Sequence, residues 1–308
     1  MFLRRTALIA ALLLTVTACA ADATTTPTAD PAQEFPVTVE ADNGPVTIDE
    51  LPEAIISLSS TATEMLFAIG AGSQVVAVDD QSNYPADAPM TDLSGITANL
   101  EAILSYEPDM VVIQFDPGAL IAGLETVGVP VLVYGAALTI DDIYRQMEAL
   151  GTATGNVAGA AETNAEITAG LDDAVTASGD LGENVTYYHE IDSLLYTATS
   201  STFLGEIYGL FGLENIADPA DADGSSYGYP QLSSEFVVSE DPNIIFLGNV
   251  LYGESAETVS QRPGWDVMTA VQNGNIAELD SDAASRWGPR IVDFAESIGD
   301  ALEEYATG

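Results

Sequence analysis

Six arginines and no lysine stand against 48 acidic residues in this 308-residue chain, so the position of each cation is informative. Two of them, Arg286 and Arg290, are four apart in SRWGPRIVDF, with Trp287 and a Gly-Pro turn between them. A chain this poor in cations thus places a third of them within five residues, each a planar guanidinium that needs partners wherever it is buried. There is one histidine, His189 in YYHEID, and one cysteine, Cys19. Bare zinc and manganese sites use several imidazoles with carboxylates, so no directly bound transition metal is expected. His189 at a strand end is either a satisfied structural imidazole or a ligand contact. GSSYG (224–228) has the spelling of a nucleophile elbow, but its flanks ADPADAD and YPQ are not strand and helix, and no histidine follows it. With no nucleophile–base pair and no group placed to have a shifted pKa, the chain is not expected to be an enzyme. Aromatics in loops remain: Tyr84, Phe115, Tyr227, Tyr229, Tyr252 and Trp287 suit the walls of a binding cleft.

The elements that must position these residues alternate. AIISLS (54–59), QVVAVD (74–79), the VVIQ end of NLEAILSYEPDMVVIQ (99–114) and the VPVLVYG end of ETVGVPVLVYG (125–135) read as strands with helices between them. STATEMLFAIGAG (60–72) is a helix with Ser60 or Thr61 as N-cap, Glu64 three residues after Thr61, and Gly70 as its stop. Thr139 with Asp142 opens another helix that ends near Gly151. Nearly all-apolar strands alternating with helices predict parallel sheets covered on both faces. An Ala-rich, strand-free run (157–178) follows, and alternation resumes with VTYYHEI (185–191), a helix (201–212), NIIFLG (243–248), GNIAELD (274–280) and a helix after Pro289. QLSSEFVVSEDPNIIFLG (231–248) echoes 99–114, with Pro242 in the place of Pro108. The expected fold is α/β: two lobes with mostly parallel sheets joined by one long helix, and a ligand cleft between the lobes at the carboxyl ends of the strands. A short hairpin near 35–49, turning at Asn43-Gly44, precedes them.

With a net charge of −42 and 47% hydrophobic residues, the chain is too apolar to be disordered and too acidic to bind nucleic acid or anionic lipid. The charge reads as a solvated acidic surface of the kind that salt screens. At the N-terminus, Arg4 and Arg5 precede an apolar run (6–18) too short to span a membrane, which reads as a signal peptide (1–18). VTAC then resembles the lipobox of bacterial lipoproteins. That resemblance implies lipidation of Cys19, a flexible tether (19–50), and anchorage to the outer face of the cell membrane.

IISLSSTATEMLFAIGAGSQVVAV, NYPADAP, NLEAILSYEPDMVV, YPQLSSEFVVSEDPNIIFL, RPGWDVMTAVQNG and SRWGPRIVDF, in this order, resemble the substrate-binding proteins of ABC importers for ferric siderophores, haem and cobalamin. The resemblance covers roughly 53–305. It implies an N-terminal lobe (51–156), a rigid linking helix (157–180) and a C-terminal lobe (181–308). It implies a monomer that hands a metal chelate, iron or cobalt, to a permease and its ATPase, with no cofactor of its own. By position it implies permease docking through one surface glutamate per lobe, Glu64 and Glu206. It implies ligand contacts at Tyr84, Tyr229, Asp282 and Arg286, with Trp287, Tyr252 and His189 beside them. Arg286 would reach into the cleft, positioned by Asp282, and Arg290 would be structural. Two positions that carry tryptophan in the cobalamin binder align with Gly95 and Gln114 here, which weakens the corrinoid reading; the cleft lacks the several arginines that anionic catecholates favour, and the acidic field leans the ligand toward a neutral or cationic hydroxamate-type ferric chelate.

Overall fold

The computed structural model describes residues 33–308; the expected signal peptide, Cys19 and most of the expected tether lie outside them. The first element is the hairpin β1 (Val37–Ala41) and β2 (Gly44–Ile48), in which Ala41 pairs with Gly44, so that Asp42 and Asn43 form the turn. It belongs to the N-terminal lobe, not to a tether. Val39 and Ile48 are buried, and the Asn43 side chain donates to Val131 O at 3.0 Å and accepts from Val133 N at 3.2 Å. The lobe therefore starts by Val37 rather than at 51.

The N-terminal lobe continues with β3 (Ile55–Leu58), α1 (Ser60–Ala68), β4 (Val75–Asp79), β5 (Met90–Leu93), α2 (Leu100–Leu104), β6 (Met110–Ile113), α3 (Leu120–Thr126), β7 (Val131–Val133) and α4 (Ile140–Thr154). Its sheet is all parallel in the order β5-β4-β3-β6-β7, so the winding reverses between β3 and β6. The long helix α5 (Val157–Ser178) leads to the C-terminal lobe, with β8 (Thr186–Glu190), α6 (Phe203–Leu210), β9 (Glu214–Asn215), α7 (Ser234–Glu240), β10 (Ile244–Leu247), α8 (Ala256–Ser260), α9 (Thr269–Asn273), β11 (Ile276–Glu278) and α10 (Ile291–Thr307). This sheet is also parallel, ordered β11-β10-β8-β9, and reverses between β8 and β10. Such switch points, at the carboxyl ends of strands, are where open α/β sheets bind ligands.

Helix starts follow from local chemistry. Thr139 and Asp142 form a reciprocal capping box on α4, as their spacing predicts. On α1 the N-cap is Ser59, whose hydroxyl accepts from Ala62 N, so Glu64 falls in the second turn and takes no part in capping.

Helix α5 packs against both α4 and α10. One continuous core runs from Ile55 and Leu150 in the first lobe, through Ile167 and Leu171 of α5, to Tyr208 and Phe294 in the second. Burying each large aliphatic side chain there contributes about 1.5–3 kcal/mol. A core shared across the lobes ties them together as no peptide linker would. The outer sheet faces carry separate clusters, around Ile56, Ile103 and Leu124 in one lobe and Ile245, Trp265 and Met268 in the other.

Candidate ligand-binding cleft

The C-terminal switch point opens onto a cavity of about 310 Å³. His189, at the end of β8, and Gly248, just past β10, form its floor; Phe203 and Leu204 enter from the start of α6. The segment after β11 supplies Asp282, Ser285 and Trp287, and Ala136 and Ala137 close the cavity from the N-terminal lobe. Tyr229, Leu251 and Tyr252 also line it; Tyr252 is 83% exposed, at the rim. The lining is thus apolar and aromatic, with one carboxylate, Asp282, and no cation.

A buried ion pair sets the loop that carries Leu251 and Tyr252. Glu190, fully buried at the end of β8, takes both Arg262 Nη atoms at 2.5 and 2.7 Å and accepts from Asn249 Nδ2 at 2.9 Å. Arg262 also bonds Glu254 at 2.8 Å, and Leu251 N donates to Ser281 Oγ at 3.0 Å. Both ends of the loop are therefore fixed to the sheet while its apolar tip faces the cleft.

The two clustered arginines do something other than expected. Arg286 is buried, not aimed into the cavity. Its Nη1 donates to Glu64 at 2.7 Å and to Asn83 Oδ1 at 2.8 Å, its Nη2 to the Gln81 carbonyl at 3.1 Å, and Nη2 lies 2.9 Å from Asp282. Arg290 donates to the same carboxylate, through Nε to Oε2 at 2.9 Å and through Nη2 to Oε1, the oxygen it shares with Arg286, at 2.8 Å. The hydrogen bond to Glu64 holds the Arg290 guanidinium above its usual range. Two arginines of the C-terminal lobe thus close on one carboxylate of the N-terminal lobe. Glu64 is 2% exposed, so it is a buried and not a surface carboxylate in this state, and a carboxylate taken out of water needs such partners.

Glu206 is half-buried and crosses the opposite way. From the first turn of α6 its carboxylate accepts from Ile140 N, at the start of α4, at 2.8 Å. A carboxylate at a helix N-terminus meets free N–H groups and a favourable dipole. In this structure both glutamates thus make contacts between the lobes.

Of the other expected contacts, Tyr229, Asp282, Trp287, Tyr252 and His189 meet at the cavity. Tyr84 does not line it: the Arg290 guanidinium lies over its ring at 4.6 Å, on the ion-pair side of Asp282. Asn83 Nδ2 donates to Asp282 Oδ2 at 2.9 Å, so the Tyr84 loop is joined to the cavity wall through that carboxylate. At Gly95, an added Cβ would stand 2.5 Å from the Leu58 carbonyl oxygen and 2.9 Å from Asp79 Oδ2, so no aromatic wall can be built there. Ala136, Ala137, Leu204, Leu251 and Ser285 escaped the sequence reading because their residue types carry no chemical signal.

A model of the periplasmic binding protein family matches residues 55–283. The chain belongs to the periplasmic binding protein family. It is 32% identical to the cobalamin-binding protein of Halobacterium salinarum over 96% of this chain and 84% of that protein. It is 29% identical to the uncharacterized ABC transporter substrate-binding lipoprotein YvrC of Bacillus subtilis, over 87% of this chain and 86% of that one. The crystal structure of the periplasmic vitamin B12 binding protein of Vibrio cholerae superposes with a TM-score of 0.66 at 27% identity, over 84% of this chain and all of that one. The two-lobed α/β architecture is that of the family.

Proposed function

We propose that the protein captures an uncharged or cationic metal chelate in the interlobe cavity and delivers it to the permease and ATPase of an ABC importer. The observation that carries this is the lining: aromatic and aliphatic walls, a single carboxylate and no cation. Carboxylate-bearing haem and polyanionic catecholate complexes need positive partners on desolvation, and the nearby Arg286 and Arg290 are already committed to Glu64. A corrinoid, with a cobalt-bearing ring edged by amides, suits such walls. It is the first candidate because relatives bearing cobalamin-binding names match nearly the full length of the chain. The chelate is cargo, with cobalt or iron already held, so the protein needs no metal ligands of its own. On this reading Cys19 carries the lipid that holds a monomeric protein at the outer face of the membrane. Docking uses surface carboxylates other than Glu64 as long as its ion pairs are closed.

Calorimetric titration with cyanocobalamin, ferrioxamine B, haemin and a ferric tris-catecholate tests the reading. Saturable binding of the first or second, with no binding of haemin or the catecholate, is expected. Tight haemin binding with neither of the first two would overturn it.

A further inference from the structure

The proposal that the cavity is the ligand site leaves open what its floor offers. His189 is 2% exposed, and its Nδ1 lies 2.8 Å from the hydroxyl of Tyr208. Neither Nδ1 nor that hydroxyl has another hydrogen-bond partner among the described residues. Tyr208 is wholly buried, its ring fixed by stacking on Tyr187 at 4.1 Å, by a tilted contact with Phe246 and by an edge contact with Phe294. A buried hydroxyl that donates to nothing is costly, and the acceptor here is Nδ1. If Tyr208 donates to Nδ1, the ring proton of the neutral imidazole must sit on Nε2. Burial keeps the ring neutral, pulling its pKa down to about 4. Nε2 lies on the cavity side: a Cβ added at Gly248, itself part of the lining, would stand 3.0 Å from it. A side chain at position 248 would therefore stand against Nε2, and glycine leaves that approach open.

We infer that His189 is a specificity-determining residue that presents a fixed, uncharged Nε2–H donor to an oxygen acceptor on the ligand, an amide carbonyl or hydroxamate oxygen. A protonated Nε2 has no lone pair for a metal, so His189 reads the rim of the chelate and does not coordinate its metal centre. A neutral donor also agrees with a lining that holds no cation.

The single histidine makes the test unambiguous. Long-range 1H–15N correlation of the ligand-free protein at pH 7 should show a protonated Nε2 and an unprotonated Nδ1; the reverse pattern overturns the inference. Tyr208→Phe removes the donor that sets the tautomer and should raise the Nδ1–H population. With cyanocobalamin or ferrioxamine B, whichever binds, His189→Leu should weaken binding about tenfold. His189→Gln, which keeps an N–H near the same place, should weaken it less, and Gly248→Ala should weaken it with the tautomer unchanged. Equal affinity of the Leu variant, or loss of the Nε2 proton on binding, overturns the inference. If neither chelate binds the unaltered protein, the chelate proposal fails, and the proton position alone still decides what His189 presents.

Discussion

Replacing Glu64 by Gln should cost more stability than any surface change in this acidic protein. The carboxylate is 1% exposed and receives Arg286 and Arg290, whose side chains are 8% and 12% exposed, so solvent screens little of the interaction. Three N–H groups of the two arginines converge on it at 2.7, 2.8 and 2.9 Å. Gln keeps one acceptor, but its amide N–H groups would face guanidinium N–H groups. Arg286 would retain Asp282 at 2.9 Å; Arg290 would retain only Asp280 at 3.8 Å and the Tyr84 ring. Removing one partner from a buried ion pair costs about 3–5 kcal/mol, and about 4 kcal/mol is expected here. Urea unfolding at fixed salt, followed by circular dichroism, measures it. The triple change Glu64→Leu, Arg286→Met, Arg290→Leu should recover most of the loss, because it removes the desolvation cost of the buried carboxylate and both guanidinium groups and leaves Asp282, 26% exposed, bonded to Asn83. A Glu64→Gln protein within about 1 kcal/mol of the parent would refute the reasoning. It would mean that the shared core and the remaining contacts between the lobes hold them without this ion pair.

Three further outcomes are expected. His189 is held near pKa 4 by burial, against about 6.5 in the unfolded chain, so its contribution to stability is complete above pH 6.5 and drains away toward pH 4. The stability difference between the parent and His189→Gln should therefore change by about 1.4 kcal/mol per pH unit across that window, the titration of the acids being common to both; a pH-independent difference would contradict the buried, neutral ring. Gly95→Ala should cost about 1–3 kcal/mol in urea unfolding, since its methyl would press on the buried Leu58 carbonyl and Asp79. Glu206→Ala should speed hydrogen exchange at the Ile140 amide and lower stability by about 1–2 kcal/mol, and unchanged exchange there would deny the crossing contact.

Much of the fold was legible because its signals are local. Apolar runs such as MVVI and IIFL, bounded by Pro-Asp and Pro-Asn, become β6 and β10, and the Thr139–Asp142 spacing becomes a capping box. The strands that escaped, β5 and β9, are short edge strands whose residues MTDL and EN carry no apolar pattern. Five of the seven expected ligand residues meet at one cavity, since aromatics in loops after strands have few places to go. The clustered arginines misled for a physical reason. Spacing along the chain says that two cations are close together; it does not say that Glu64, more than 200 residues away, will meet both. Whether a cation faces a ligand or a carboxylate is decided by the other lobe, and only the folded chain brings that lobe near.

The most direct test of ligand capture follows Trp287, half-buried in the cavity wall, in a Trp265→Phe background that silences the other tryptophan. Titration with cyanocobalamin and ferrioxamine B should quench Trp287 emission saturably for at least one of them, with haemin unable to displace the bound chelate. Quenching by haemin alone, or by none of these in a folded protein, would contradict the assignment of the cavity to an uncharged or cationic metal chelate.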